Sequence, residues 1–231
     1  MADDFDDTRL PLFPLPNVVH FPRTELKLHV FEARYRRLVE DLLQIDEESR
    51  WIGMVLLKPG WSGDPGRPEV FPVGAAGRLV DVETLPDGRA NILLRGDFRF
   101  ELQRELPDTD HPYRQAVVRP VEEPWLNERD AGVVAVRNAI VELMRALAEE
   151  LRERFPFGEE DVAELAGHCA FEELVNRIAA EVDLPPLRKL QLLQESLPER
   201  GLSVLSILRS RQQVLDLLRP YRHLATASDN N

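Results

Sequence analysis

Cysteine is almost absent from this chain of 231 residues. With Cys169 as the only thiol, no disulfide can form within the chain and no cysteine-based zinc site can be completed. The adjacent His168 does not activate the thiol, because consecutive residues of a helix point about 100° apart. We therefore expect a buried, structural cysteine and a reducing compartment.

Long apolar runs are missing as well. No stretch approaches the ~18 uninterrupted apolar residues of a membrane span. The first seven residues carry four acids, where a signal peptide needs positive charge followed by an apolar run. The sequence predicts a cytoplasmic protein that binds no membrane, with an acidic disordered tail at residues 1–9 and a second disordered tail at residues 222–231.

Basic residues are too few for a nucleic-acid module. The chain has 41 Asp and Glu against 29 Lys and Arg, a formal net charge of -12, and both halves are acidic. A nucleic-acid site needs Lys and Arg on one face to displace counterions from phosphates. The composition therefore disfavours DNA and RNA as partners.

Catalytic motifs are also missing. No Gly-Lys pair exists for a phosphate-binding loop, and the five histidines are scattered without metal-ligand spacing. The nearest candidates for a serine–lysine dyad, Ser196 and Lys189, are separated by a predicted helix end, and Ser196 already reads as a helix cap. We expect no catalytic residue, no metal and no cofactor, and hence no enzyme.

The first half of the chain has the pattern of a β-rich domain. Pro and Gly separate five short apolar runs, at Leu26–Val30, Ile52–Leu57, Gly77–Val82, Ala90–Leu94 and Tyr113–Val118. Leu85-Pro-Asp-Gly-Arg89 predicts a hairpin turn between two of them. One helix is predicted from the apolar stripe Phe31, Tyr35, Leu38 and Leu42. Residues 10–123 are predicted to form a compact barrel.

After Trp125 the apolar period changes towards 3.6 residues. A long helix is predicted from the stripe Val133, Val136, Ile140, Leu143, Leu147 and Leu151. Three shorter helices (159–166, 171–182 and 186–194) and a last one from Ser196 to about Pro220 follow. Residues 124–221 are predicted to form a helical bundle, with Trp125 buried where it joins the barrel, and the fold class is α+β.

Several motifs resemble the substrate-binding (N-terminal) domain family of Lon protease. They lie in the order Leu10-Pro-Leu-Phe-Pro-Leu-Pro-Asn-Val-Val19, Leu26-Lys-Leu-His-Val-Phe-Glu-Ala-Arg-Tyr-Arg36, Ile52-Gly-Met-Val-Leu-Leu57, Leu85-Pro-Asp-Gly88 and Leu94-Arg-Gly-Asp-Phe-Arg-Phe100. Leu184–Leu193, before the final helix, is similar to the helical part of that family. The resemblance covers about residues 9–220. One departure is Ala33, where members usually have Pro.

The resemblance implies a PUA-like β-barrel with one or two helices, followed by an all-α bundle. Nothing in the chain resembles the ATPase or peptidase domains, so the chain looks like a stand-alone bacterial member. The implied function is non-catalytic recognition of unfolded or exposed apolar protein segments, in protein quality control or as an adaptor. A separate protease or chaperone is a conceivable partner.

Two other functions stay open at this point. The first is a PUA-like RNA-binding module, because the family's barrel looks like the PUA class of RNA-modifying proteins, although the acidic charge speaks against it. The second is an undetected hydrolase, against which the missing catalytic motifs speak.

Six residues are candidates for a protein-binding surface on the barrel. They combine aromatic surface with arginine anchors that could hold a carbonyl or carboxylate: Phe21, Phe31, Arg34, Tyr35, Trp61 and Arg99. Trp61 stands in a Pro/Gly-rich loop, which favours docking over packing. The alternative is that Phe31 and Tyr35 belong to the core while Arg34 and Arg99 pair internally with acids.

Overall fold

The computed structural model describes residues 8–60, 68–107, 110–167 and 169–221, without the side chains of Glu153 and Tyr221. Trp61, most of the first predicted tail and the tail at 222–231 lie outside these residues. The chain divides into two compact units. Unit 1 comprises Met1–Pro124 and Ala179–Ser196, and unit 2 comprises Trp125–Ile178 and Leu197–Asn231.

Six strands form the sheet of unit 1. They are β1 (Thr8–Leu15), β2 (Glu25–Val30), β3 (Trp51–Leu57), β4 (Val70–Thr84), β5 (Ala90–Glu105) and β6 (Gln115–Val121). The first strand begins inside the segment predicted to be a disordered tail, because Thr8 and Arg9 pair with Val118 and Val117 of β6.

The sheet is mixed, and its pairings close on themselves. The strand order is β2-β5-β4-β3-β1-β6, and β5 pairs in addition with β6. The β1–β3 pair is parallel, whereas the other pairs are antiparallel. Because β5 has 16 residues, its first half pairs with β2 and its second half pairs with β6. Five strands therefore form a closed ring, and β2 extends it on one side.

The turn between β4 and β5 follows from its sequence. Gly88 has a φ of 80°, which glycine adopts without steric cost, and its amide donates to the Leu85 carbonyl at 2.9 Å. The Leu85 amide donates in turn to the Arg89 carbonyl at 2.8 Å. The hairpin predicted from Leu85–Arg89 joins the two longest strands.

Helix α1 (Ala33–Leu43) covers the outer face of the sheet. Its buried side chains are Tyr35, Leu38, Val39 and Leu42, and they pack with Phe13, Ile52, Leu79, Ile92 and Leu94 of the strands. The helix begins at Ala33 itself, the first helical position, where proline is well tolerated. The substitution of the family's proline therefore leaves the start of the helix in place.

A second core fills the inside of the ring. It contains Leu10, Leu12, Val55, Ala76, Phe100, Ala116 and Val118. Gly53 of β3 and Gly74 of β4 leave room for the Phe100 ring, because a Cβ would lie 3.2 Å from it at Gly53 and 2.7 Å from it at Gly74. Phe100 is fully buried and occupies the space that these positions leave.

The helices outside unit 1's sheet are α2 (Ala131–Leu151), α3 (Glu159–Gly167), α4 (Phe171–Glu181), α5 (Pro186–Gln194) and α6 (Leu197–Leu218). The described residues of unit 2 form helices and no strand. Asp130 caps α2 by accepting from the Gly132 amide at 2.8 Å. Arg200 and Asn176, both fully buried, are joined by a 2.7 Å hydrogen bond within this unit.

The structure also differs from the sequence prediction around the predicted domain boundary. The segment Ala179–Ser196, with α5, belongs to unit 1 and not to the helical half. Its physical anchor is the buried Arg99 side chain, described below. Trp125 is 87% exposed, so its predicted burial is wrong; it lies in the irregular link between β6 and α2. No helix of the described residues is long and apolar enough to cross a membrane.

Candidate functional site

The exposed surface that β2, β5 and β4 share beyond the ring is built from three rows of cross-strand neighbours. We call it the open face. The rows are His29, Asn91 and Glu83; Lys27, Leu93 and Asp81; and Glu25, Arg95 and Arg78. On β2 the alternate residues Leu26 and Leu28 turn the other way and pack on the α1 core. Strand alternation thus separates a polar, solvated face from the core.

The first row is a connected polar network. His29 Nδ1 lies 2.8 Å from Asn91 Oδ1, and Asn91 Nδ2 donates to Glu83 Oε2 at 2.7 Å. This network orients the imidazole of His29, which lies beside the Phe31 ring at 6.4 Å between ring centroids. The open face therefore ends in an aromatic side chain at the junction of β2 and α1.

Among the predicted site residues that the structure describes, Phe31 and Arg34 are accessible. Phe31 is 61% exposed. The Arg34 guanidinium is half-exposed, lies 2.7 Å from a Glu32 carboxylate oxygen and stands 4.7 Å above the Tyr35 ring centroid. An apolar ring and a planar cation thus flank the first turn of α1, a combination that can contact both an apolar side chain and a backbone carbonyl.

Tyr35 and Phe21 are placed differently, since both are buried. The Tyr35 ring stacks on Phe13 at 3.9 Å and 15°, and burial raises the pKa of its hydroxyl. Phe21 is fully buried, and its carbonyl approaches so closely that a Cβ at Gly96 would lie 2.0 Å from it. Both rings hold the unit together, and a bound segment cannot reach them.

Arg99 is buried too, and its guanidinium is engaged within unit 1. Nη1 donates to the carbonyls of Leu193 at 2.7 Å and Glu195 at 3.0 Å, and Nη2 lies 2.8 Å from a Glu123 carboxylate oxygen. The two carbonyls stand at the C-terminal end of α5, where a cation is favoured by the helix dipole. Arg99 thus clamps the segment Ala179–Ser196 onto the strands.

A half-buried aromatic pair continues the open face towards the ring. Trp51 of β3 and Phe98 of β5 lie 4.9 Å apart between centroids, tilted by 41°. Arg78 of β4 is the cross-strand neighbour of Trp51 and of Arg95. Sequence reasoning missed this cluster, although an aromatic at the start of a strand, as at Trp51, was a usable signal.

The residues considered for catalysis have structural partners. Lys189 donates from Nζ to the Ala180 carbonyl, and burial lowers the pKa of its amine. The Cys169 thiol is half-buried and donates to the Leu165 carbonyl at 3.0 Å, and burial raises its pKa, which disfavours the reactive thiolate. In the part of the chain that the structure describes, no group of three His, Cys, Asp or Glu side chains could hold a metal ion.

Comparison with known proteins gives a consistent result. The family model of the ATP-dependent protease La (LON) substrate-binding domain matches residues 9–210. The chain is 25% identical over 209 residues to a Lon protease of Flavobacterium johnsoniae and 29% identical over 209 residues to one of Anaeromyxobacter dehalogenans. Each alignment covers 90% of this chain but only 25% and 24% of the relative, respectively.

Two solved structures share the fold. The Lon N-terminal domain protein of Xanthomonas campestris is 27% identical, with a TM-score of 0.56. The N-terminal domain of the Mycobacterium avium complex Lon protease is 14% identical, with a TM-score of 0.67. In each case the match covers 87% of this chain and 98% of the other. The chain spans about a quarter of the length of the curated relatives named above and belongs to the Lon substrate-binding domain family.

Proposed function

We propose that this protein binds exposed apolar segments of other proteins without catalysing a reaction, and that unit 1 carries the binding surface. The family match supports substrate recognition. The observation that carries the proposal is the aromatic surface of the open face, with the exposed Phe31 at one end and, at the other, the half-buried Trp51–Phe98 pair, which also packs against the second core. Buried aromatics anchor protein interfaces, and polar neighbours supply orientation.

The finer description of the fold is part of the same proposal. The closed ring of five strands is consistent with a PUA-like barrel, and the described helices of unit 2 with an all-α bundle. We further propose a cytoplasmic role in protein quality control or as an adaptor, with unfolded proteins as ligands and a separate protease or chaperone as partner.

The experiment measures binding of a fluorescein-labelled unfolded protein, reduced and carboxymethylated α-lactalbumin, by fluorescence anisotropy. Phe31→Ala and Arg34→Ala should each weaken binding at least ~5-fold, the effect expected of an interface anchor, and leave the melting temperature nearly unchanged. Leu217→Ala is the matched control, because Leu217 is an apolar side chain with 73% exposure on α6 of unit 2. If both unit 1 variants bind as well as the unmodified protein, the open face is the wrong surface.

Two further measurements distinguish the proposal from the two alternatives. Tight binding of a single-stranded RNA with a steep salt dependence would favour the PUA-like RNA module instead. Cleavage of casein that disappears in Lys189→Ala would contradict the non-catalytic role.

A further inference from the structure

Arg78, in the third row of the open face, is half-buried and lies beside an aromatic residue. Arg78 stands between Trp51 of β3 and Arg95 of β5 in the cross-strand register. The neighbouring Gly77 faces the opposite side, where a Cβ would meet the His20 ring at 3.0 Å. Alternation along β4 therefore directs Arg78 to the same side as Trp51 and Phe98.

Arg78 is half-buried, yet its guanidinium forms no ion pair or hydrogen bond with any residue that the structure describes. The more deeply buried arginines Arg99 and Arg114 of unit 1 are satisfied: Arg99 by two carbonyls and Glu123, and Arg114 by Glu105 and the Pro68 carbonyl. Arg95, next to Arg78, has Glu25 at 3.6 Å. Arg36 of α1 is also half-buried without an acid among the described residues, but Arg78 lies next to Trp51 in the sheet register, and a half-buried arginine in that position favours an external anion.

The aromatic pair beside Arg78 is held in place. The Trp51 indole nitrogen donates to the Glu48 carbonyl at 2.5 Å, which fixes the plane of the ring. Val80, 39% exposed, lies two residues beyond Arg78 at an irregularity of the β4–β5 pairing. Apolar side chains therefore lie at neighbouring sheet positions around Arg78, and we call Trp51, Arg78, Val80 and Phe98 the aromatic end.

We propose that the aromatic end binds a protein segment in which an apolar side chain is followed closely by a carboxylate. The apolar side chain packs on Trp51 and Phe98, and the carboxylate accepts two parallel hydrogen bonds from the Arg78 fork. This inference rests on the proposed function and adds the chemical class of the segment. The chain as a whole carries a net charge of -12, so binding of an anionic group requires a local cation, which Arg78 supplies.

Two sources could supply the carboxylate, an Asp or Glu side chain or the C-terminus of a bound protein. Four fluorescein-labelled peptides of equal length distinguish them. All four carry the same apolar core. Two peptides have an internal Glu and two have Gln at that position. Within each pair, one peptide has an amidated C-terminus and the other a free C-terminus. Binding is measured by anisotropy at 0.15 M salt.

We expect the protein to bind the best carboxylate peptide about 10-fold more tightly than the neutral peptide, the effect of a charge-assisted hydrogen bond. The preference should vanish in Arg78→Gln and be reduced in Arg78→Lys, which keeps the charge without the fork. Arg104→Gln removes the same charge from an exposed position elsewhere on unit 1 and should keep the preference. Trp51→Phe should weaken all four peptides alike.

The outcomes separate this inference from the proposed function. If all four peptides bind equally well and Arg78→Gln changes nothing, the carboxylate assignment is wrong while apolar binding survives. Absence of binding by every peptide, with the protein folded by circular dichroism, would overturn both. Displacement of the peptide by a single-stranded RNA, lost in Arg78→Gln, would assign the site to phosphate and refute the carboxylate.

Discussion

Arg99→Met is the most informative perturbation of unit 1, because it removes a charge while keeping an apolar side chain of similar length. In the structure Arg99 is 5% exposed and joins β5 to the C-terminal end of α5. The variant leaves the Glu123 carboxylate, 19% exposed, without this cation, and it leaves the Leu193 and Glu195 carbonyls without these donors.

The size of the effect follows from these contacts. Removing one partner of a buried ion pair costs about 3–5 kcal/mol, because the other charge loses its compensation. A hydrogen bond from a charged donor contributes about 1.5–3 kcal/mol, but the two carbonyls share the same guanidinium and their contributions overlap with the ion pair. We expect Arg99→Met to lower the free energy of unfolding by about 3–5 kcal/mol, and Arg99→Lys to lose less because the charge is kept.

Urea unfolding followed by circular dichroism gives the free energy, and hydrogen exchange gives its location. Amides of α5 should lose protection in Arg99→Met at conditions where α1 keeps it, because Arg99 clamps the α5 segment. Arg95→Gln serves as control on the same strand, since its exposed pair with Glu25 contributes at most about 1 kcal/mol. If Arg99→Met lowers the free energy of unfolding by less than about 1 kcal/mol and the amide protection of α5 is unchanged, Arg99 does not hold the α5 segment on the strands.

Three further predictions concern stability, each measured by urea unfolding. Tyr35→Ala should cost about 3–5 kcal/mol because its ring is stacked in the core, whereas Phe31→Ala should stay within about 0.5 kcal/mol. Burial lowers the pKa of His20 from 6.5 to about 4. Because the unfolded chain binds the proton more readily than the folded chain, the free energy of unfolding decreases as the pH falls below 6.5. The loss from pH 7 to pH 5 should be about 2 kcal/mol larger than in His20→Leu. Gly201→Ala should destabilise by about 1–3 kcal/mol, because the new Cβ would lie 2.6 Å from the Phe171 ring, and an unchanged midpoint would show that the ring yields freely.

Local signals were sufficient for most helices and for the central hairpin. Helix α5 has the predicted bounds Pro186–Gln194, because a proline at the first helical position marks its start. The assignment of that helix to a unit was beyond local reasoning, since its anchor is a hydrogen bond from Arg99, which is distant in the sequence. Sequence periodicity shows which face of a helix is apolar, but it does not show which other element packs against that face.

Phe31 shows how two periodicities compete at a junction. Its spacing to Tyr35 and Leu38 matches a helix face, which supported a core position as the alternative to a binding role. Helix α1 begins only at Ala33, so Phe31 instead continues the strand alternation of Lys27 and His29 and points to solvent. Where an element begins decides which period applies, and element boundaries are the least certain part of a sequence prediction.

Arg99 of β5 and Arg78 of β4 show why a binding surface is harder to predict than a fold. Arg99 stands between two phenylalanines and Arg78 between Gly77 and Leu79, so local context favours Arg99 as the recognition residue. In the structure Arg78 is the better candidate. The Arg99 guanidinium already binds two backbone carbonyls and the Glu123 carboxylate, whereas no described residue pairs with Arg78. An arginine can bind a ligand only if its own chain does not satisfy it, and that depends on tertiary contacts. Register across the sheet then places the unsatisfied guanidinium beside Trp51, where apolar and anionic groups of one segment can be bound together.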